Sequence, residues 1–172
     1  MLKRAFLFIS MGLLMVFCTN KRGANIEQKI EMDSEGPVYS VGSDDMAMNL
    51  ATEIAKRTLD SFDRAYSSRN PEYDNFELKV RFKTLNGGEH IWVRIIKLTG
   101  GEYYGVVNNT AESTREVKLG DTIHVNKQNI SDWMYVEKNV LRGGYTIKAL
   151  RRALSPAEKI EFDSSFDYKI PE

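Results

Sequence analysis

The chain is poor in the residues that build most metal and redox sites. Its 172 residues include one cysteine, Cys18, and two histidines, His90 and His124. A single cysteine forms no intrachain disulfide, and so few residues of these two types leave no zinc site built of His and Cys ligands. An excess of charge of one sign is lacking too, since 24 Lys and Arg face 24 Asp and Glu. That balance provides no overall field for a polyanion, so no nucleic-acid partner is expected. There is no glycine-rich loop ending in Lys-Ser or Lys-Thr, no Gly-x-Ser-x-Gly elbow and no dinucleotide fingerprint. No cofactor is expected. The one long apolar run, residues 6–17, is too short to span a bilayer comfortably as a helix.

That run is nevertheless informative. Lys3 and Arg4 precede it, and only Ser10 and Gly12 interrupt it, which is the layout of a secretory signal over residues 1–17. Cys18 follows at once. Its place resembles the acceptor position of a bacterial lipoprotein signal, although Phe17 stands where a small residue is usual and Met15 where leucine is. The resemblance implies an exported chain whose Cys18 carries acyl groups and whose partner is a membrane facing the periplasm or the cell exterior. Each buried CH₂ of such a lipid contributes about 0.8 kcal/mol of anchoring. Residues 18–43 are polar and contain Gly23, Gly36, Pro37 and Gly42, which reads as a tether reaching roughly 25–30 Å. Val38, Tyr39 and Val41 offer a short edge strand as the alternative. Setting Lys3 and Arg4 aside lowers the basic count from 24 to 22 and the net charge to −2. Residues 44–172 then form a single domain large enough to bury its own core.

The pattern of that domain predicts an α+β fold. Asp44 or Asp45 caps one long helix over 44–66, whose apolar stripe holds Met46, Leu50, Ile54, Leu59, Phe62 and Tyr66. From Phe76 the period changes to two: Phe76, Leu78, Val80 and Phe82 alternate with Glu77, Lys79, Arg81 and Lys83. Asn86-Gly87-Gly88 turns the chain into a second strand over 89–98, and Gly100-Gly101 turns it into a third over 102–108. The three strands make an antiparallel meander, with the helix as cover for its apolar face. Short strands are expected over 117–119, 122–125, 133–136 and 140–142, then a helix over 146–153. Ser155-Pro156-Ala157-Glu158 has the capping-box arrangement that begins a second short C-terminal helix.

Two clusters stand out as candidate sites. If Ile91, Val93 and Ile95 face the helix, then His90, Trp92 and Arg94 share the opposite face of their strand. This is either a recognition surface or a face covered by later elements, with Trp92 in a core. The second cluster is Ser131-Asp132-Trp133. Asp132 beside His90 would form an acid–histidine couple, with Ser131 or Thr146 as the attacking hydroxyl. The alternative has Asp132 bonded to backbone amides and Trp133 in the core. Arg151-Arg152 reads as a solvated helix end.

The run Glu89-His90-Ile91-Trp92, Asn108, the Gly120-Asp121 turn, Ile130-Ser131-Asp132-Trp133-Met134-Tyr135 and Gly143-Gly144-Tyr145-Thr146 together resemble the bacterial family of domain of unknown function 2314, the YegJ-like proteins. The resemblance covers residues 44–162. It implies no activity and no catalytic residue, only that these blocks, Tyr145 among them, are the places to look first. The function expected is a non-catalytic binding or interaction module on the cell envelope, for a protein or small-molecule ligand. Two alternatives stand beside it: a hydrolase-like enzyme using His90 and Asp132, and an inhibitor or immunity-type protein. The expected site is a groove edged by His90, Arg94 and Asp132, with Trp92, Trp133 and Tyr145 close by.

Overall fold

The computed structural model describes residues 29–33, 36–40 and 46–172. The signal, Cys18, most of the tether and the Asp44/Asp45 cap lie outside the described residues. Where a tether is expected, β1 (Lys29–Asp33) and β2 (Gly36–Ser40) pair antiparallel, Lys29 opposite Ser40 and Asp33 opposite Gly36. The strand alternative at Val38 and Tyr39 is the one seen. It belongs to a separate two-stranded sheet and does not edge the main one.

The expected single helix is two, α1 (Met46–Arg57) and α2 (Leu59–Ser68). Thr58 breaks it at φ −109° and ψ 10°. Its hydroxyl donates back to the Ile54 carbonyl at 2.8 Å and lies 3.2 Å from both the Trp133 indole nitrogen and the Tyr145 hydroxyl. A threonine bonded to the preceding turn and to neighbours from other elements bends a helix that its apolar period would continue. The stripe shifts as a result. Ala51, Ala55, Phe62 and Ala65 are buried, whereas Met46 and Leu50 are exposed, contrary to the expected packing.

The meander is present as β3 (Tyr73–Thr84), β4 (Gly87–Thr99) and β5 (Glu102–Val107). It sits inside a six-stranded antiparallel sheet with β6 (Thr122–Val125), β7 (Ile130–Glu137) and β8 (Val140–Gly143), in the order β6-β5-β4-β3-β7-β8. Residues 117–119 form no strand. The Gly120 turn is closed instead by Asp121, whose carboxylate accepts from the Lys118 amide at 3.0 Å. The last two elements are α3 (Tyr145–Ala153) and α4 (Pro156–Ser164), and the latter begins with the expected capping box of Ser155 and Glu158.

Residues directly opposite one another in paired strands point to the same face. Leu78 faces Val93 and Trp133, and Val80 faces Ile91 and Ile130, so these side chains make one core together with Ala55, Phe62 and Tyr103. Lys79 faces Trp92 and Asp132, and Glu77 faces Arg94 and Met134, which puts them on the other face. There Met134, Leu141, Ile147, Leu154 and Phe162 form a second core, joined by Trp92, Phe166, Tyr168 and Ile170. Helices α3 and α4 and the C-terminal tail therefore cover much of a face that the charges of β3 mark as wet. The tail is fixed at the sheet edge, where the Lys169 carbonyl accepts from the Leu141 amide at 2.9 Å. Arg151 is no solvated helix end: its guanidinium holds both oxygens of Asp163, at 2.7 and 2.9 Å, and reaches Glu172 at 2.7 Å.

Candidate functional site

The expected groove places its residues only in part. His90, Trp92, Arg94 and Asp132 do share the second face, as the strand period requires. Asp132, however, is fully buried and spent on structure. One oxygen accepts from the Trp133 and Tyr145 amides at 2.8 and 3.2 Å, and the other from the Thr146 amide and hydroxyl, both at 2.7 Å. It supplies the cap that Gly144, at the start of α3, has no side chain to give. Burial raises the Asp132 carboxyl above its usual range, while the Thr146 hydroxyl and amide, the Lys79 charge and the Trp133 amide pull it down.

His90 has a different partner. Its Nδ1 lies 2.8 Å from the Ser131 hydroxyl, which donates its own proton to the Lys79 carbonyl at 3.1 Å. With that proton committed, Ser131 accepts from His90 Nδ1–H, and its oxygen is buried. Burial of part of the ring, followed by the charges of Lys79, Arg81 and Lys56, depresses the imidazole to about 4. Among the described residues no carboxylate bonds to it. The arrangement lacks both the acid and the activated hydroxyl of a nucleophilic site, and the capping alternative for Asp132 is the one observed.

Trp133 and Tyr145 are also structural. The Trp133 indole donates to the Ala55 carbonyl at 3.0 Å, and its ring meets the Tyr145 ring edge-on at 5.7 Å. Both lie on the first core, away from the groove. Gly143, at φ +68°, fits against Trp133 so closely that an added Cβ would stand 2.3 Å from the Trp133 carbonyl oxygen.

What remains at the second face is a cleft of about 340 Å³, lined by Glu77, Trp92 and Arg94 from the sheet, by Asn108 just past β5 and by Phe166 and Tyr168 from the tail. Trp92 and Arg94 were legible from the strand period; Glu77 was not, because the alternation reads it as one of four solubilising charges. A bulge sets its position. Between Asp74 and Glu77 strand β3 gains one residue on β7, and Asn75, at φ +48°, also lines the cleft.

Glu77 is the unusual group of this cleft. Its side chain retains 8% of its exposure. Oε1 accepts from Asn108 Nδ2 at 2.6 Å, and Arg94 Nε stays 3.8 Å away. Burial raises the carboxyl to about 6, against the opposing pull of the Arg94 charge and the Asn108 hydrogen bond. Asn108 is held in turn by its amide on the Trp92 carbonyl at 2.9 Å. The only sequence signal for this pair was the place of Asn108 among the matched blocks.

Another carboxylate, this one on β4, shapes the rim of the domain elsewhere. Glu89 accepts from the amides of Glu112, Ser113 and Thr114 at 2.7, 2.9 and 2.7 Å, closing the loop between β5 and β6 onto the β3–β4 turn. Among the described residues no group of three His, Cys, Asp or Glu side chains is placed to hold a metal ion, and no helix is long and apolar enough to cross a membrane.

A six-stranded antiparallel sheet with helices on both faces and a small acid-floored cleft defines an α+β domain. The chain belongs to the bacterial family DUF2314, described as an uncharacterized protein conserved in bacteria, which matches residues 45–168. It is 32% identical over 143 residues to a putative ankyrin repeat protein of Neisseria meningitidis serogroup B; the match takes in 78% of this chain and 56% of that relative. It is 30% identical over 109 residues to the uncharacterized protein YegJ of Escherichia coli K12, 63% of this chain and 70% of the relative. No solved structure matches. The matched blocks now have physical meanings: Ser131 to Tyr135 with Gly143 to Thr146 lock β7, β8 and α3 together, whereas Trp92 and Asn108 reach the cleft.

Proposed function

We propose that the domain is a non-catalytic binding module held at the cell envelope by a lipid on Cys18, and that its ligand enters the cleft between β3, β4 and the C-terminal tail. The observation that carries the reading is Glu77, a buried carboxylate opening on a cleft walled by Trp92, Phe166 and Tyr168. Concave sites in which aromatic side chains stand beside a few fixed polar groups are where small ligands bind, and here Asn75, Arg94, Asn108 and Asp167 share the lining with the rings. A domain built only for stability has little use for a carboxylate kept this dry, since burial of a charge costs free energy that packing alone does not return. The anchoring half of the proposal rests on the signal-like residues 1–17 and the position of Cys18.

One fractionation experiment tests both halves. The full chain, expressed with its own N-terminus, is recovered from envelope fractions and its bound small molecules are identified by mass spectrometry, beside Trp92→Ala and Cys18→Ala. Wild type is expected in the membrane fraction with ligand, Trp92→Ala in the membrane fraction without it, and Cys18→Ala outside the membrane fraction. A folded Trp92→Ala chain that keeps the ligand would contradict the site, and a membrane-bound Cys18→Ala chain would contradict the anchor.

A further inference from the structure

The cleft also indicates the chemistry of what it holds. We propose, resting on the reading of the cleft as a ligand site, that it takes a small organic cation: a primary ammonium on an apolar or aromatic body, with the ammonium on Glu77 Oε2.

The two oxygens of Glu77 are not equivalent. Oε1 is occupied by Asn108 Nδ2 at 2.6 Å. Arg94 Nε lies 3.8 Å from that same oxygen, too far for a hydrogen bond, and its side chain is 54% exposed. Among the described residues nothing donates to Oε2, although Glu77 lines the cleft. A carboxylate has room for about four hydrogen bonds, and the described residues supply one of them, on Oε1.

Charge selects the donor. At neutral pH the carboxylate is ionised, and burial has pushed it up to about 6 in spite of Arg94 and Asn108, so its charge is incompletely compensated. An ammonium completes the compensation with charge-assisted hydrogen bonds, which are roughly twice as strong as neutral ones. The groups facing Glu77 agree with this sign. The tail brings Asp167 and the neutral Tyr168, whose hydroxyl burial and the Glu77 charge hold un-ionised, while β4 brings Arg94 as the one cation. An anion would meet two carboxylates in return for one half-exposed guanidinium. The walls suit the carbon body of such a ligand: Trp92, Phe166, Tyr168, Met134 and Ile147 line the cleft, and the Trp92 ring already has the Lys79 ammonium 5.5 Å from its centre.

Three probes of one shape test the class: phenethylamine, phenethyl alcohol and hydrocinnamate, titrated into the full chain while the N–H signals of Trp92 and Asn108 are followed by NMR. The amine is expected to shift both signals and to bind at least tenfold more tightly than the alcohol, with no saturable shift from the carboxylate. Lowering the pH to about 5, one unit below the Glu77 midpoint, should weaken the amine about tenfold as the carboxylate takes up its proton. Glu77→Gln should lose both the amine preference and the pH dependence, and thermal unfolding no lower than wild type would show that the fold is intact. Hydrocinnamate or the alcohol shifting the same signals as strongly as the amine would overturn the ammonium class and leave the cleft a ligand site. No shift from the amine would overturn the inference itself, whereas ligand recovered from the envelope by wild type and not by Trp92→Ala would still uphold the site.

Discussion

Glu77 shows at the scale of one residue how burial converts position into chemistry. In an alternating strand it is the neighbour of Lys79 and Arg81 and nothing marks it apart. The tail and α3 close over the face, and its carboxyl rises from 4.5 to about 6. The consequence for stability has a definite sign. Between these two values the folded chain keeps a proton that the unfolded chain has lost, so the Glu77 contribution is present below about 4.5 and is lost as pH rises through about 6. The loss amounts to about 2 kcal/mol for a shift of this size. Glu77→Gln keeps the acceptor for Asn108 and has no charge to bury. Denaturant unfolding of the two chains should therefore give similar stabilities near pH 4, with the variant ahead by up to about 2 kcal/mol above pH 7. His90 titrates in the same range with the opposite sign, since its depressed pKa costs stability as pH falls, but it is common to both chains and cancels in the difference. A constant difference across pH would contradict the assignment.

Between elements, the β8–α3 junction is closely packed. Gly143 and Gly144 both have positive φ, Gly143 lies against the Trp133 backbone, and Asp132 caps the helix that follows. Gly143→Ala must strain the backbone and push on the Trp133 carbonyl, which accepts from the Gly144 amide at 2.8 Å and cannot move without breaking that bond. It should cost about 3 kcal/mol or more in thermal or denaturant unfolding. A loss below about 1 kcal/mol would show that the junction relaxes. Element types were largely legible in the sequence, because β3 and β4 alternate cleanly and Ser155 to Glu158 spells a capping box. The break at Thr58 was not, since it depends on partners from β7 and α3 that no local window contains. The strand expected over 117–119 failed for a related reason: Val117 packs against the first core from a loop that side chains hold in place.

The molecule as a whole is a sheet with two dry faces, and that explains which half of the site could be read beforehand. Period two places His90, Trp92, Arg94 and Asp132 on one side of the sheet, as found. What each does there depends on the cover. Beneath the N-terminus of α3, Asp132 becomes a cap and Lys79 a buried partner of Thr146 at 3.2 Å. Where the cover stops short, beside Phe166 and Tyr168, Trp92 and Arg94 border a cleft. The resemblance to the family marked both regions without separating them, because blocks that hold a fold and blocks that hold a ligand look alike in one sequence.

The central claim is that binding belongs to the cleft and not to the His90–Ser131 pair. The chain has two tryptophans, Trp92 at the cleft and Trp133 locked on the Ala55 carbonyl, and hence two indole N–H signals that report the two faces separately. Correlation NMR of the full chain, with and without a small-molecule envelope extract, should show saturable shifts at the Trp92 indole and the amides of Glu77, Asn108 and Tyr168, with the Trp133 indole unmoved. Shifts gathered at His90, Ser131 and Asp132, with Trp92 and Asn108 silent, would contradict it.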